Sequence, residues 1–119
     1  MRKKETKPRQ LQPDTGRKLF LDKFGKEIES YEAYKRAIEG LKDTTQKAYR
    51  RILPYYFLYL QEDPDAVISN RKADLANSDV TLNERYERKT KAYIKYLVSR
   101  NVTVGCHLAR VQGFFSNNS

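Results

Sequence analysis

Apolar residues recur at spacings of three and four along much of the chain, and nowhere is the period-two alternation of a half-buried strand sustained. The clearest stripe is Tyr49, Ile52, Leu53, Tyr56, Phe57 and Leu60, one face of a helix predicted over roughly 43–62. Asp43, with Gln46 three residues later, reads as its N-cap and capping-box partner. Pro54 falls mid-helix, where it removes a backbone bond and costs about 3 kcal/mol in an exposed setting. The stripe stays in phase across it, so a kink is expected, with a break into two short helices as the alternative.

Upstream, Ser30 caps a short helix carrying Tyr31, Tyr34, Ile38 and Leu41 on one face, and Gly40 suits a left-handed end. Asp63-Pro64-Asp65 restarts the chain: N-cap, proline at the first helical position, carboxylate on the positive end of the dipole. The helix that follows runs to about 77 and buries Ala66, Val67, Ile68 and Leu75 weakly. Thr81 with Glu84 is a second capping box, opening a helix over roughly 82–100. Its inner face is Leu82, Tyr86, Thr90, Tyr93, Ile94 and Leu97. After a turn at Asn101-Val102, Thr103 caps a last helix with Val104, Leu108, Val111 and Phe115 inward. At these spacings most of the tyrosines are core.

The prediction is an all-α protein, a compact bundle of four to five helices over 28–116. Residues 1–27 read as a basic flexible arm, with disorder expected over 1–18. Leu19, Phe20, Leu21 and Phe24 form a small apolar cluster able to pack on the domain edge or make a short turn of helix. Residues 117–119 read as truncated linker.

Charge narrows the function. The 119 residues suffice for one core and carry a formal charge of +9, which favours an anionic partner, nucleic acid above all. Residues 1–27 hold nine basic and four acidic side chains, net +5, so about half the excess sits on the arm. No apolar run approaches the roughly 20 residues of a membrane span, and no signal-peptide pattern follows Met1. A single cysteine, Cys106, excludes an internal disulfide and fits a reducing cytoplasm.

Catalytic parts are missing. The one histidine, His107, adjoins Cys106, and neighbours on a helix diverge by about 100°, so no metal site is expected. There is no nucleophile elbow, phosphate loop or dinucleotide fingerprint, hence neither a self-contained enzyme nor a cofactor is expected. What remains is basic surface. Lys47, Arg50 and Arg51 flank the central stripe near a helix start, where free backbone N–H groups also favour phosphate. Thr44 and Thr45 stand beside them, and Gln46 has the amide that can pair with adenine. Arg88, Lys91 and Lys95 gather on the outer side of the long helix with Arg85 at the flank, and Arg110 points away from the last apolar stripe. A solvated face, with Glu84 and Glu87 pairing some of these cations, is the alternative reading of the long helix.

The order of elements then carries a resemblance. Thr45 to Tyr49 opens an aromatic-rich helix, Asp63-Pro64 starts the next, and Tyr93-Ile94-Lys95-Tyr96-Leu97 lies in a long one. Arg100-Asn101-Val102-Thr103 makes the turn, and Val111-Gln112-Gly113-Phe114-Phe115 closes the last helix. This resembles the N-terminal core-binding, or SAM-like, domain of phage-integrase-type tyrosine recombinases over about residues 30–116. The resemblance implies half of a C-shaped clamp on duplex DNA, with other recombinase protomers as partners on DNA and a monomer off it. The catalytic half of that family supplies an arginine, a lysine, a His-x-x-Arg box, a further histidine and a tyrosine nucleophile. His107-Leu108-Ala109-Arg110 matches the box in letters only, because it lies inside the last helix of the pattern and no tyrosine follows it. The sequence therefore reads as the DNA-binding part of a longer recombinase.

Neutralising about five phosphates implies a log–log salt slope of roughly −4 to −5. The competing class is a protein-interaction module using Tyr55, Leu58 and Tyr59, which lie off the central stripe. Single-strand or RNA binding is a third reading, separable by competition between duplex and single strand.

Overall fold

A helix of 18 residues, α3 (Asp43–Leu60), runs unbroken through Pro54 and forms the spine of the computed structural model, which describes residues 13–118. Its inner face is the stripe read from the sequence: Tyr49, Ile52, Leu53, Tyr56 and Phe57 are all buried. The helix ends where Gln61 turns left-handed at φ 60° and its N–H reaches Phe57 O at 2.8 Å. Its start differs from expectation. Lys42 is the N-cap, Asp43 is already helical, and no side chain caps the helix. Gln46 instead donates its amide to Leu41 O at 2.8 Å.

Around α3 stand six further α-helices among the described residues: α1 (Pro13–Phe24), α2 (Glu32–Ile38), α4 (Pro64–Leu75), α5 (Val80–Asn83), α6 (Arg85–Ser99) and α7 (Gly105–Ser116). A 3-10 turn at Ile28–Ser30 precedes α2, and there is no strand among the described residues. All-α is right; the count of four to five is low, because α1 is longer than the short turn of helix allowed for its apolar cluster and the helix expected over 82–100 is divided into α5 and α6.

The largest correction concerns the arm. Residues 13–24 are helical, and α1 packs along α3 more extensively than any other two elements pack. Phe20 is fully buried, 4.6 Å from Phe24 and 6.4 Å from Phe57 between ring centroids. Gly16 permits the close approach: a Cβ there would stand 2.6 Å from Tyr55 Cε2. The domain therefore begins by Pro13, and the expectation for residues 1–12 lies outside the described residues.

Asn117 and Asn118 are not a linker either, and Ser119 lies outside the described residues. Asn118 is buried, donates to Ala33 O and Phe114 O, and accepts from Arg36 Nε at 2.8 Å. Asn117 donates to Ala37 O at 2.8 Å, so this pair ties the end of α7 to α2.

Caps divide into local ones that form and others that do not. Asp63 accepts from Ala66 N at 2.8 Å with Pro64 at the first position, as read. Ser30 does not cap α2; its hydroxyl bonds Glu27 O, and the α2 N-terminus receives Asp65 from α4 instead. The Thr81–Glu84 box does not form, because Asp79 takes the Thr81 N–H and caps α5, leaving α6 to begin at Arg85. Nor does Thr103 cap α7, whose N-cap is Val104 without a side-chain bond.

The core is aromatic. Tyr34, Tyr56, Tyr93, Phe20, Phe57 and Phe114 are its largest fully buried side chains. They meet edge to face, as ring quadrupoles favour: Phe57 and Phe114 at 5.0 Å, Tyr56 and Tyr93 at 5.2 Å. Tyr56 Oη satisfies itself on Thr90 Oγ1 at 2.8 Å, which draws α6 onto α3. Burial moves the Tyr56 and Tyr93 hydroxyls upward from the ordinary phenol value.

Candidate nucleic-acid interface

Five cations on α6 fall into two sets, and carboxylates do the sorting. Arg85 makes a two-pronged contact with Asp74 of α4, at 2.9 Å through Nε. Lys89 Nζ lies 2.9 Å from Glu62 Oε2, beyond the end of α3. Burial opposes ionisation of Glu62, but bonds from Lys89, Tyr86 and Asn70 outweigh it and hold the carboxyl below its usual pKa. Arg85 and Lys89, both half-exposed at the flank of α6, are thus neutralised. Arg88, Lys91 and Lys95 are exposed on the other side, and no carboxylate pairs with them among the described residues. Arg88 donates to Thr81 O, and its charge adds a minor share to the hydrogen bonds from Thr81 that hold the Asp79 carboxyl below its usual pKa. Glu84 and Glu87, the expected partners of a solvated face, form no ion pair with this row.

The α3 candidates disperse. Lys47 and Thr44 are exposed, while Thr45, Gln46, Arg50 and Arg51 are half-buried. Arg50 Nε lies 3.9 Å from Glu29 Oε2, which also accepts from Arg17 of α1 at 2.6 Å. Arg50 therefore belongs to a cluster holding α1, the 3-10 turn and α3 together. Arg51 acts on α7: with burial as the larger cause, its charge helps lower the His107 pKa from 6.5 to about 4. Gln46, by bonding Leu41 O, has one amide hydrogen committed to the backbone. Arg110, foreseen as pointing outward, lays its guanidinium 5.5 Å from the ring centroid of buried Tyr49.

Lys91 and Lys95 share a groove of about 1010 Å³ between α6 and α7. Its floor is apolar, made by Ile94, Leu108, Val111 and Phe115. Arg71 of α4 completes the rim, its guanidinium 4.9 Å from the Phe115 ring centroid. None of the α3 candidates lines it. Arg71 was not among the residues singled out from the sequence. The available signal was phase: Arg71 stands three and four residues after Ile68 and Val67, on the buried side of α4.

The aromatic patch expected at Tyr55, Leu58 and Tyr59 is half formed. Tyr55 is partly covered by Gly16 of α1, whereas Tyr59 stays 38% exposed and pairs with Tyr96, 44% exposed, at 5.3 Å. They line a smaller groove of about 340 Å³ with Leu19, Leu58 and Arg100. No described helix is long and apolar enough to cross a membrane. Among the described residues no group of three or more His, Cys, Asp or Glu side chains is placed to hold a metal ion. Comparison with known proteins gives no match to a family model, a curated protein or a solved structure.

Proposed function

We propose that this chain binds duplex DNA, with the exposed row Arg88, Lys91 and Lys95 of α6 set against phosphates, as the core-binding half of a tyrosine-recombinase-type clamp. The observation that carries the reading is the division of charge on α6. Cations already paired, such as Arg85 and Lys89, have little left to offer a phosphate. The unpaired row is exposed and free to neutralise phosphates, which releases the counterions condensed on the duplex, the driving term for DNA binding. Lys47 at the start of α3 adds a further exposed cation. Such contacts hold and orient a protein without reading sequence.

The recombinase part of the proposal is supported by the order of elements: the Thr45–Tyr49 helix, the Asp63-Pro64 start, the long tyrosine-rich α6 and the Phe114-Phe115 ending of α7. In this reading the chain grips DNA without cleaving it, works in the cytoplasm, is monomeric alone, and meets other protomers on the recombination site. Catalysis belongs to a separate domain.

The test is a salt titration of binding to a generic duplex of about 30 base pairs, followed by amide NMR shifts. Shifts centred on Arg88–Lys95 that fade between about 50 and 200 mM salt are expected. An unchanged spectrum at low salt overturns the reading. A single strand competing better than the duplex moves it to single-stranded nucleic acid. The exposed pair Tyr59 and Tyr96 favours a second reading, a protein-interaction module, whose binding would be insensitive to salt.

A further inference from the structure

The α6–α7 groove does not suit DNA alone. Phosphates engage the rim cations, yet an apolar floor of Ile94, Leu108, Val111 and Phe115 gains nothing from a polyanion. We infer that this groove docks an acidic amphipathic helix of a partner protein, and that such a helix excludes DNA from Lys91 and Lys95. The exclusion, though not the docking, rests on the DNA-binding reading above.

Three features define the occupant. The walls are two helices, and a third laid between them would bury its apolar stripe as a helix-in-groove ligand does. Lys91 and Lys95 are four residues apart, so they rise about 6 Å along one face of α6. Carboxylates one turn apart on the incoming helix match that spacing. Arg71 then meets the occupant from the α4 side. Glu87 is the one acidic residue on the lining, so the rim is net positive. A second copy of this chain is a poor fit, because each copy carries +9 and α7, the neighbouring wall, has no acidic residue.

The groove differs from a small-molecule site. It lies open along two helices, and no buried polar side chain on its lining lacks a partner. Helical partners need only the apolar floor and the charged rim, and both are present.

The probe is a synthetic amphipathic peptide of about 18 residues, leucines at i, i+3, i+4 and i+7, glutamates one turn apart on the flank. A control peptide carries lysines in place of the glutamates. Amide shifts at Ile94, Leu108 and Val111 are expected with the first peptide and not with the control. Leu108→Gln, which alters the floor but not the rim, should weaken the peptide at least tenfold and leave duplex affinity unchanged. Lys91→Glu with Lys95→Glu should weaken both ligands. Equal binding of the two peptides, or no shift on the floor, overturns the inference. So does a groove that shifts with decanoate alone, or on raising protein concentration alone; these would assign it to a small amphiphile or a second copy. If the acidic peptide binds and the duplex does not, docking stands while exclusion and the DNA reading fall. If the duplex binds and the peptide does not, the DNA reading stands while docking and exclusion fall.

Discussion

Asp65 Oδ1 accepts the backbone N–H of Ala33 at 2.8 Å, so the N-terminus of α2 is capped by a side chain from α4, 32 residues away. The same residue sits in the first turn of its own helix, where a carboxylate faces the positive dipole end. One side chain thus serves two helix starts and fixes how α2 lies on α4. Asp65→Ala should cost about 1–2 kcal/mol, at the upper end of cap substitutions, and lower the melting temperature by several degrees. Asp65→Asn keeps an acceptor and should cost less than half as much. Equal losses for the two variants, read by urea denaturation, would show that charge rather than capping matters.

Phe20 decides whether α1 belongs to the domain. Its ring is fully buried against Tyr31, Phe24 and Phe57. Truncating a packed aromatic costs about 3–5 kcal/mol, a large share of the stability of a domain this size. Phe20→Ala is therefore expected to lower the denaturation midpoint severely, while Leu19→Ala, at an exposed position, changes it little. A harmless Phe20→Ala would return the helix to the status of a detachable arm.

His107 makes stability depend on pH in a window no other side-chain type occupies. Burial, with the Arg51 charge beside it, lowers its pKa from 6.5 to about 4, and its Nδ1 lies 3.1 Å from Tyr93 Oη. The folded pKa is below the unfolded one, so the unfolded chain binds the extra proton. Stability from this group is complete above about pH 6.5 and declines as the pH falls toward 4. Since this is the one histidine, the slope of melting temperature between pH 5 and 6.5 should vanish in His107→Gln. A slope that survives the substitution would assign the window to other groups.

These residues also show what was legible in the sequence. The α3 stripe and the Asp63-Pro64 cap were readable because every partner lies within a turn or two. Asp65 on Ala33 and Asn118 on Ala33 and Phe114 were not, since they join residues distant in the chain or past an assumed boundary. The α1 helix was hidden for a different reason. Its buried side is made partly of Gly16, a contact by absence of a side chain, and its apolar residues crowd into the second half, Leu19 to Phe24, after a polar first half. In α4 the phase was lost because Asp74 is buried while Leu75 is 48% exposed, and the buried carboxylate makes sense only with Arg85 opposite. At the candidate site, the outer row of α6 followed from helical phase alone. Which cations were already neutralised required the positions of Asp74, Glu62 and Glu29, and Arg71 entered only when α4 was laid against Phe115.

That pairing gives the sharpest prediction for binding. A cation held by a carboxylate releases no condensed counterion when DNA arrives, whereas an unpaired one does. Lys91→Gln and Lys95→Gln should each reduce the log–log salt slope by about 1 and weaken binding to all duplex sequences alike. Lys89→Gln and Arg50→Gln should leave the slope nearly unchanged, because Glu62 and Glu29 already engage those side chains. Arg50→Gln should instead show in stability, by loosening the Glu29 cluster that holds α1. Lys47→Gln separates the helices: a drop of about 1 in slope places the start of α3 on the DNA with α6, and no change confines the phosphates to α6. The measurement is fluorescence anisotropy against salt for all five proteins on one duplex. Equal slopes across the set would mean that the exposed row of α6 does not meet phosphate.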